Sequence, residues 1–274
     1  MTVESSINDG CSTAILMPLS LQIADEMVCM APGVLTTISE GNGIAFSGSA
    51  VLPYVTPQAK ADLLAAVAAR GGTLQINSGF RTVAQQYLLY RWYQAGLCGI
   101  TAAATPGRSN HESARALDVG NYTDWKSTLQ AHNWSQSVPG DPVHFDHLGS
   151  PDYRGMDVHA FQRLWNRNNP GDLIDEDGLY GPATGARLAQ SPIEGFAIGP
   201  CPTPDTDPDP VDPMDPIDPT DPLFEQPGDL TDHHDTEPDR NLIGGCNTSG
   251  GGAPGGLALS LLALGFILSR RRAR

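Results

Sequence analysis

The sequence predicts an α+β domain followed by a small all-α module. Two observations carry the α+β reading. Residues 57–70 and 82–96 place apolar side chains at helical spacing. Between and after them come short stretches that read as strands: TLQINSGFR, Ala116 to Gly120, and Val143-His144-Phe145. A third observation predicts the module. Residues 152–192 carry Val158, Phe161, Leu164 and Trp165 three and four apart, then an acidic turn, a Gly-Pro break and a short helix. A chain of 274 residues has room for one medium domain and a smaller one.

Each element has local support. Residues 33–50 are rich in Gly, Ser and Thr and suggest short strands and turns. In the helix at 57–70, Pro57 suits the first turn and Gly71-Gly72 a stop, and Leu63, Leu64, Val67 and Ala68 form an apolar face. The helix at 82–96 ends at Gly96; its aromatic residues Tyr87, Tyr90 and Trp92 read as core and wall packing. Residues 99–110 form a Gly/Ala/Thr/Pro loop. In the strand that follows, Ala116, Asp118 and Gly120 project to one side and alternate with Leu117 and Val119. Residues 123–133 read as a short helix with a Thr or Asp cap, and Val143-His144-Phe145 as the next strand.

Charge is unevenly spread. The formal net charge is −15, and residues 201–240 alone hold eleven Asp and two Glu against one Arg. That segment repeats Asp-Pro and reads as a stiff, solvated linker, because proline enforces extended geometry and like charges repel. The rest of the folded region is mildly acidic, which argues against a nucleic acid partner. Residues 257–268 are apolar and are followed by four Arg within Arg270 to Arg274. Ala253 to Ser269 is a span of 17 residues, at the short edge for a bilayer. Five cysteines contain no CxxC pair, which argues against a thiolate zinc cluster. In an exported protein four of them allow three pairings; the reading favours Cys11 with Cys29 and Cys98 with Cys201, with Cys246 apart. The first twenty residues lack a basic start and a clean apolar core before a cleavage site. Either export uses another route or the start given lies downstream of the true one, and the C-terminal features favour the second.

The residues that carry chemistry lie in two stretches, SNHESARALD at 109–118 and DPVHFDH at 141–147. They offer His111, Asp118 and His144 as three metal ligands, with Asp141 three residues before the last. A zinc hydrolase wants three protein ligands and an open position for water, whose pKa falls from 15.7 to roughly 7 on the metal. A nearby carboxylate then moves the proton to the leaving amine. The small Ala116 and Gly120 leave room beside Asp118. Spacing alone leaves a structural reading of these histidines open.

These stretches resemble signatures of the zinc D,D-peptidase family, which includes D-alanyl-D-alanine carboxypeptidases, dipeptidases and L-alanyl-D-glutamate endopeptidases. Ser109, His111, Ala116 and Asp118 match S-x-H-x-x-(G)-x-A-x-D; the small residue after the His is present as Ser113 or Ala114 instead of Gly. Asp141-Pro142-Val143-His144-Phe145 resembles the second signature, with Asp where the carboxypeptidase branch usually has Glu. Ser78-Gly79-Phe80-Arg81 with Gln85 resembles a third. The resemblance covers roughly residues 50–150. It implies a Hedgehog/D,D-peptidase fold, a Zn²⁺ held by His111, Asp118 and His144, Asp141 as catalytic base, and Arg81 on the substrate and the developing charge. It places Ser109 and Gln85 with Arg81 in substrate binding. The scissile bond stays open between the branches. An alternative is a catalytically weak or inactive peptidoglycan-binding surface protein, for which the Asp at 141 is the best support.

Other residues near the motifs are read as secondary. His147 falls on the opposite strand face from His144, as a supporting or surface residue, and His132 is read as surface. Asp146 is a candidate to orient a ligand ring, and Glu112 is a fallback proton carrier without family support. His233 and His234 are read as solvated.

Val158-x-x-Phe161-Gln162-x-Leu164 and Asp177-Gly178-Leu179-Tyr180-Gly181-Pro182-x-Thr184 resemble the small three-helix peptidoglycan-binding domain. The acidic DEDG segment is read as a capped turn in preference to a calcium loop. The C-terminal end resembles the myxobacterial C-terminal sorting tag: Cys246 in a Gly/Ser-rich stretch, the apolar span, then the Arg cluster. An ordinary membrane anchor is the other reading, and both place the folded part outside the cytoplasm. The expected organisation is an N-terminal extension at 1–50, a zinc peptidase domain at 51–150, a peptidoglycan-binding-like module at 151–198, an Asp/Pro linker at 199–243 and the tag or anchor at 244–274. The expected partner is peptidoglycan.

Overall fold

The computed structural model describes residues 1–201. The Asp-Pro repeat from 202 onwards, Cys246, His233, His234, the apolar span and the Arg cluster lie outside the described residues. Helix α1 (Met17–Met30) is followed by β1 (Thr36–Thr37), β2 (Ile44–Phe46) and β3 (Tyr54–Val55). Then come α2 (Pro57–Arg70), β4 (Leu74–Ser78), α3 (Val83–Ala95), β5 (Ala116–Val119), α4 (Tyr122–Ala131), β6 (Trp134–Ser135) and β7 (His144–His147). Helices α5 (Met156–Asn168) and α6 (Pro182–Gln190) complete the described chain. The mixed α+β content agrees with the sequence expectation.

Five strands form one sheet in the order β2-β4-β5-β7-β6, and β1 pairs with β3 separately. Strand β2 runs parallel to β4; the other pairs in the sheet are antiparallel. Alternation along β5 and β7 gives the sheet two different faces. Leu117, Val119 and Phe145 join Leu74 and Ile76 in a core closed by Leu63 and Val67 of α2 and Trp125 and Leu129 of α4. Asp118 and His144, which are direct cross-strand partners, take the other face. Helix α2 has the expected bounds, with Thr56 accepting from the Ala59 N–H at its start. Its buried face uses Ala59, Leu63, Ala66 and Val67, while Leu64 and Ala68 are exposed.

A second core joins α1, α3, α5 and α6 through Leu19, Ile23, Leu88, Trp92, Phe161 and Leu188. Residues 151–198 therefore do not form three helices of their own. They supply α5 and α6, joined by residues 169–181, where Pro170, Gly171 and Gly178 interrupt helix formation. The helix packed against α5 is α1, from the N-terminal segment. A buried Glu26 on α1 ties the two together, accepting from Arg163 (2.7 Å) and Arg167 (2.8 Å) of α5. Thr13–Met30 is apolar and long enough to cross a membrane by composition, and here its buried side packs on α5. Segment 1–50 also supplies β2 to the main sheet, so packing crosses both positions at which the sequence changes character.

The cysteines pair as Cys11–Cys98 and Cys29–Cys201, which corrects the pairing favoured from sequence. The reason is helix length. Cys11 precedes α1 and Cys29 lies near its end, so the helix holds them apart by more than a disulfide spans, about 7 Å between Cα atoms. The observed partners have Cα atoms 5.2 and 5.5 Å apart. One bridge ties the N-terminal segment to the end of α3; the other ties α1 to the last described residue.

Candidate metal centre

His111 sits in a 3-10 turn, Asn110–Ser113, whose start is built by two side chains. Ser109 Oγ accepts from the His111 N–H, and the Glu112 carboxylate accepts from the N–H groups of Ser109 (2.8 Å) and Gly107 (2.7 Å). This reciprocal cap satisfies donors that a short turn leaves free. The turn ends on Ala114, which has φ +59°. Of the two small residues offered by sequence, Ala114 is thus the one in the left-handed conformation that glycine adopts at lowest cost.

The ring of His111 is oriented from the residue that follows β4. Its Nδ1 lies 2.8 Å from the Gly79 carbonyl, which only accepts, so Nδ1 carries the proton and Nε2 keeps its lone pair. Gly79 has to be glycine here, since a Cβ would stand 2.7 Å from the Leu52 carbonyl oxygen. His111 Nε2, Asp118 Oδ1 and His144 Nδ1 form a triangle with all three sides 3.2 Å. A tetrahedral zinc with bonds of about 2.0–2.1 Å separates its ligand atoms by about 3.3 Å, so the donor set and spacing suit that ion.

Further contacts hold these side chains. His144 Nε2 lies 3.2 Å from Asp146 Oδ1, and the other Asp146 oxygen accepts from Asn110 (2.8 Å) and from Ser137. A carboxylate behind a ligating histidine fixes its ring and raises its basicity. Asp146 thus stands where the sequence suggested a ring-orienting residue.

Electrostatics divide the cluster. Burial and the neighbouring Arg81 charge lower the pKa of His111. Burial works against ionising Asp118, but His111, His144 and Arg81 outweigh it and hold the carboxyl well below its ordinary range. Burial also opposes charging of His144, yet Asp118 and Asp146 overcome it and raise its pKa to about 9. Arg81 Nη2 lies 4.0 Å from Asp118 Oδ2. Burial lowers the Arg81 pKa while Asp118, Glu112 and Asp141 raise it, and a guanidinium stays charged throughout.

The cluster opens into a cleft of about 590 Å³ whose lining includes Arg81, Ser109, Asp118, Asp141 and His144. Asp141 lies in the loop between β6 and β7, on the cleft wall. Two sequence expectations are corrected. Gln85 is buried away from the cleft, where it donates to the Ala50 carbonyl (3.2 Å). Gln86 is the cleft glutamine: it accepts from Arg81 (2.9 Å) and donates to the Ala104 carbonyl (2.7 Å). Helical periodicity held the signal, because Gln86, Leu89 and Tyr93 are three and four apart and all line the cleft. Glu112 is fully buried in its cap beside Asp157 of α5, and burial raises it to about 7. It does not line the cleft, so it is a turn-forming residue instead of a spare proton carrier. His147 is on the opposite face, as expected, but is buried and not at the surface. His132, expected at the surface, is half-buried, with its Nδ1 2.8 Å from the Thr128 carbonyl. Asp177 caps its turn, accepting from Gln162 (2.9 Å) and the Leu179 N–H (2.9 Å).

Comparison with known proteins agrees with this geometry over part of the chain. No curated protein matches it. Residues 52–141 match the family model VanY, D-alanyl-D-alanine carboxypeptidase. The matched segment contains Arg81, His111, Asp118 and Asp141 and stops three residues before His144. The segment is thus similar to D-alanyl-D-alanine carboxypeptidases of that family.

Proposed function

We propose that this chain is a zinc-dependent peptidase of peptidoglycan stem peptides, with the terminal D-Ala–D-Ala bond as its first candidate target. The observation that carries the reading is the 3.2 Å triangle of His111, Asp118 and His144 beside Arg81, in a cleft whose other lining residues all fall in the family-matched segment. His111, Asp118 and His144 are the residues that would hold the ion. When bound, zinc supplies a Lewis acid and a water nucleophile at neutral pH. Arg81, held by Ser78 and Gln86, presents a fixed positive charge to the carbonyl oxygen as negative charge develops there. Asp141, with no side-chain partner among the described residues, accepts the proton of the attacking water and returns it to the leaving amine. Ser109 acts on the site by seating His111.

The reading implies export, and two disulfides suit an oxidising compartment. Attachment through the C-terminal segment, by tag or by span, belongs to the same proposal.

The test is digestion of a stem pentapeptide by the zinc-loaded full chain, read by mass spectrometry. Loss of one alanine identifies the carboxypeptidase; a cut after the first alanine identifies the endopeptidase. Asp141→Asn should lower kcat by about 10²–10⁴-fold with zinc content unchanged. An intact pentapeptide after incubation with zinc-loaded protein would overturn the reading.

A further inference from the structure

Nine arginines lie among the described residues, and eight have side-chain partners. Arg81, Arg91, Arg115, Arg154, Arg163, Arg167 and Arg187 each face a carboxylate. Arg70 lies over the Trp125 ring and donates to the Asp124 carbonyl. Arg108 is the exception: it is exposed, and its guanidinium meets no described acceptor. The exception matters because of its place. Arg108 lines the metal cleft and also a second cleft of about 520 Å³. That second cleft lies between residues 105–108 and the module, where it is lined by Asp152, Arg154 and Tyr180. Arg154 there is paired with Asp152, a carboxylate it shares with Arg115, whereas Arg108 has no carboxylate partner among the described residues.

We propose that the two clefts form one substrate groove and that Arg108, at their junction, binds a carboxylate of an acidic peptide, at a residue removed from the bond that is cut. This rests on the peptidase reading and deepens it. An exposed guanidinium that meets no carboxylate among the described residues is available to a ligand. Its planar fork suits a carboxylate. The second cleft is walled in part by residues 178–180, so the module builds the groove as well as packing on the domain. A stem peptide carries carboxylates along its length.

The experiment compares a stem pentapeptide bearing free side-chain carboxylates with the same peptide amidated at those groups, using the full-length zinc-loaded protein. The wild type should prefer the acidic peptide by about tenfold in KM, the scale of one charge-assisted hydrogen bond. That preference should shrink with added salt. Arg108→Gln should bring it close to one, and Arg108→Glu should invert it. Arg108 is exposed, so neither change disturbs the core. A preference that survives in Arg108→Gln, or none in the wild type, overturns the proposal. If neither peptide is cut, the hydrolytic reading fails, and calorimetric binding of the two peptides to wild type and Arg108→Gln still decides on Arg108.

Discussion

Strand β7 carries His144 and His147 on its two faces, and each histidine meets an aspartate. On one face, His144 Nδ1 lies 3.2 Å from Asp118 and from His111, at the base of the large cleft. On the other, His147 lies between Ser150 (Nδ1, 2.7 Å) and Asp62 (Nε2, 2.8 Å) and is fully buried against Trp134. The second set has the residue types of a hydrolytic triad. Its serine, however, is committed to Thr56, the residue that caps α2. Both faces therefore use imidazole and carboxylate. On the closed side both imidazole nitrogens have a protein partner, and the network ties β7 to α2. On the open side three ligand-type atoms stand 3.2 Å apart and line a cleft. The two sets share residue types and differ in their access to solvent.

Mutation can break the comparison. His144→Ala should abolish zinc binding and peptide hydrolysis together, while leaving the fold. His147→Ala should retain zinc and lower stability by about 2–4 kcal/mol, because it strands buried partners. Metal content and denaturant unfolding of the pair separate the two; equal zinc loss in both would erase the distinction. The next effect is smaller. Asp146→Asn should weaken zinc binding by about 10–100-fold, as expected for loss of a carboxylate behind a ligand, measured by competition with a chelator.

The closed side has its own pH signature. Hydrogen bonds from Asn133 and His147 hold the Asp62 pKa below its usual value. A carboxyl depressed by folding contributes stability above its unfolded pKa, about 3.9, and loses it as pH falls through the lower folded value. Asp62→Asn should therefore flatten the acid limb of the stability curve, and an unchanged limb would remove Asp62 from the account. The smallest effect concerns the turn that carries His111. Ala114→Gly should change stability by less than about 1 kcal/mol, because relief of the left-handed backbone offsets the lost methyl. Ala116→Gly, in a strand, should cost about 1–2 kcal/mol. Thermal melts of the two variants test whether Ala114 occupies a glycine position.

Much of the site was legible in the sequence because its signals are local. Alternation along 116–120 puts Asp118 opposite Leu117 and Val119, and the same period separates His144 from His147. The bounds of α2 follow from Pro57 and Gly71-Gly72. Gln85 and Gln86 were not separable by motif, because a helix turns about 100° per residue and only docking of α3 shows which of them faces the cleft. The Gly79 carbonyl behind His111 was hidden for another reason: a backbone oxygen has no sequence signature.

By itself the sequence determined the alternating and helical patterns, the short turns and the kinds of ligand available, since these depend on neighbours a few residues apart. Only the tertiary structure decided the rest. It joined Cys11 to Cys98 and Cys29 to Cys201, and it packed α1 against α5. It also set Arg108 between two clefts with no carboxylate of the described fold to quench it. These outcomes depend on which distant surfaces exclude water together, and that is a property of the packed chain as a whole.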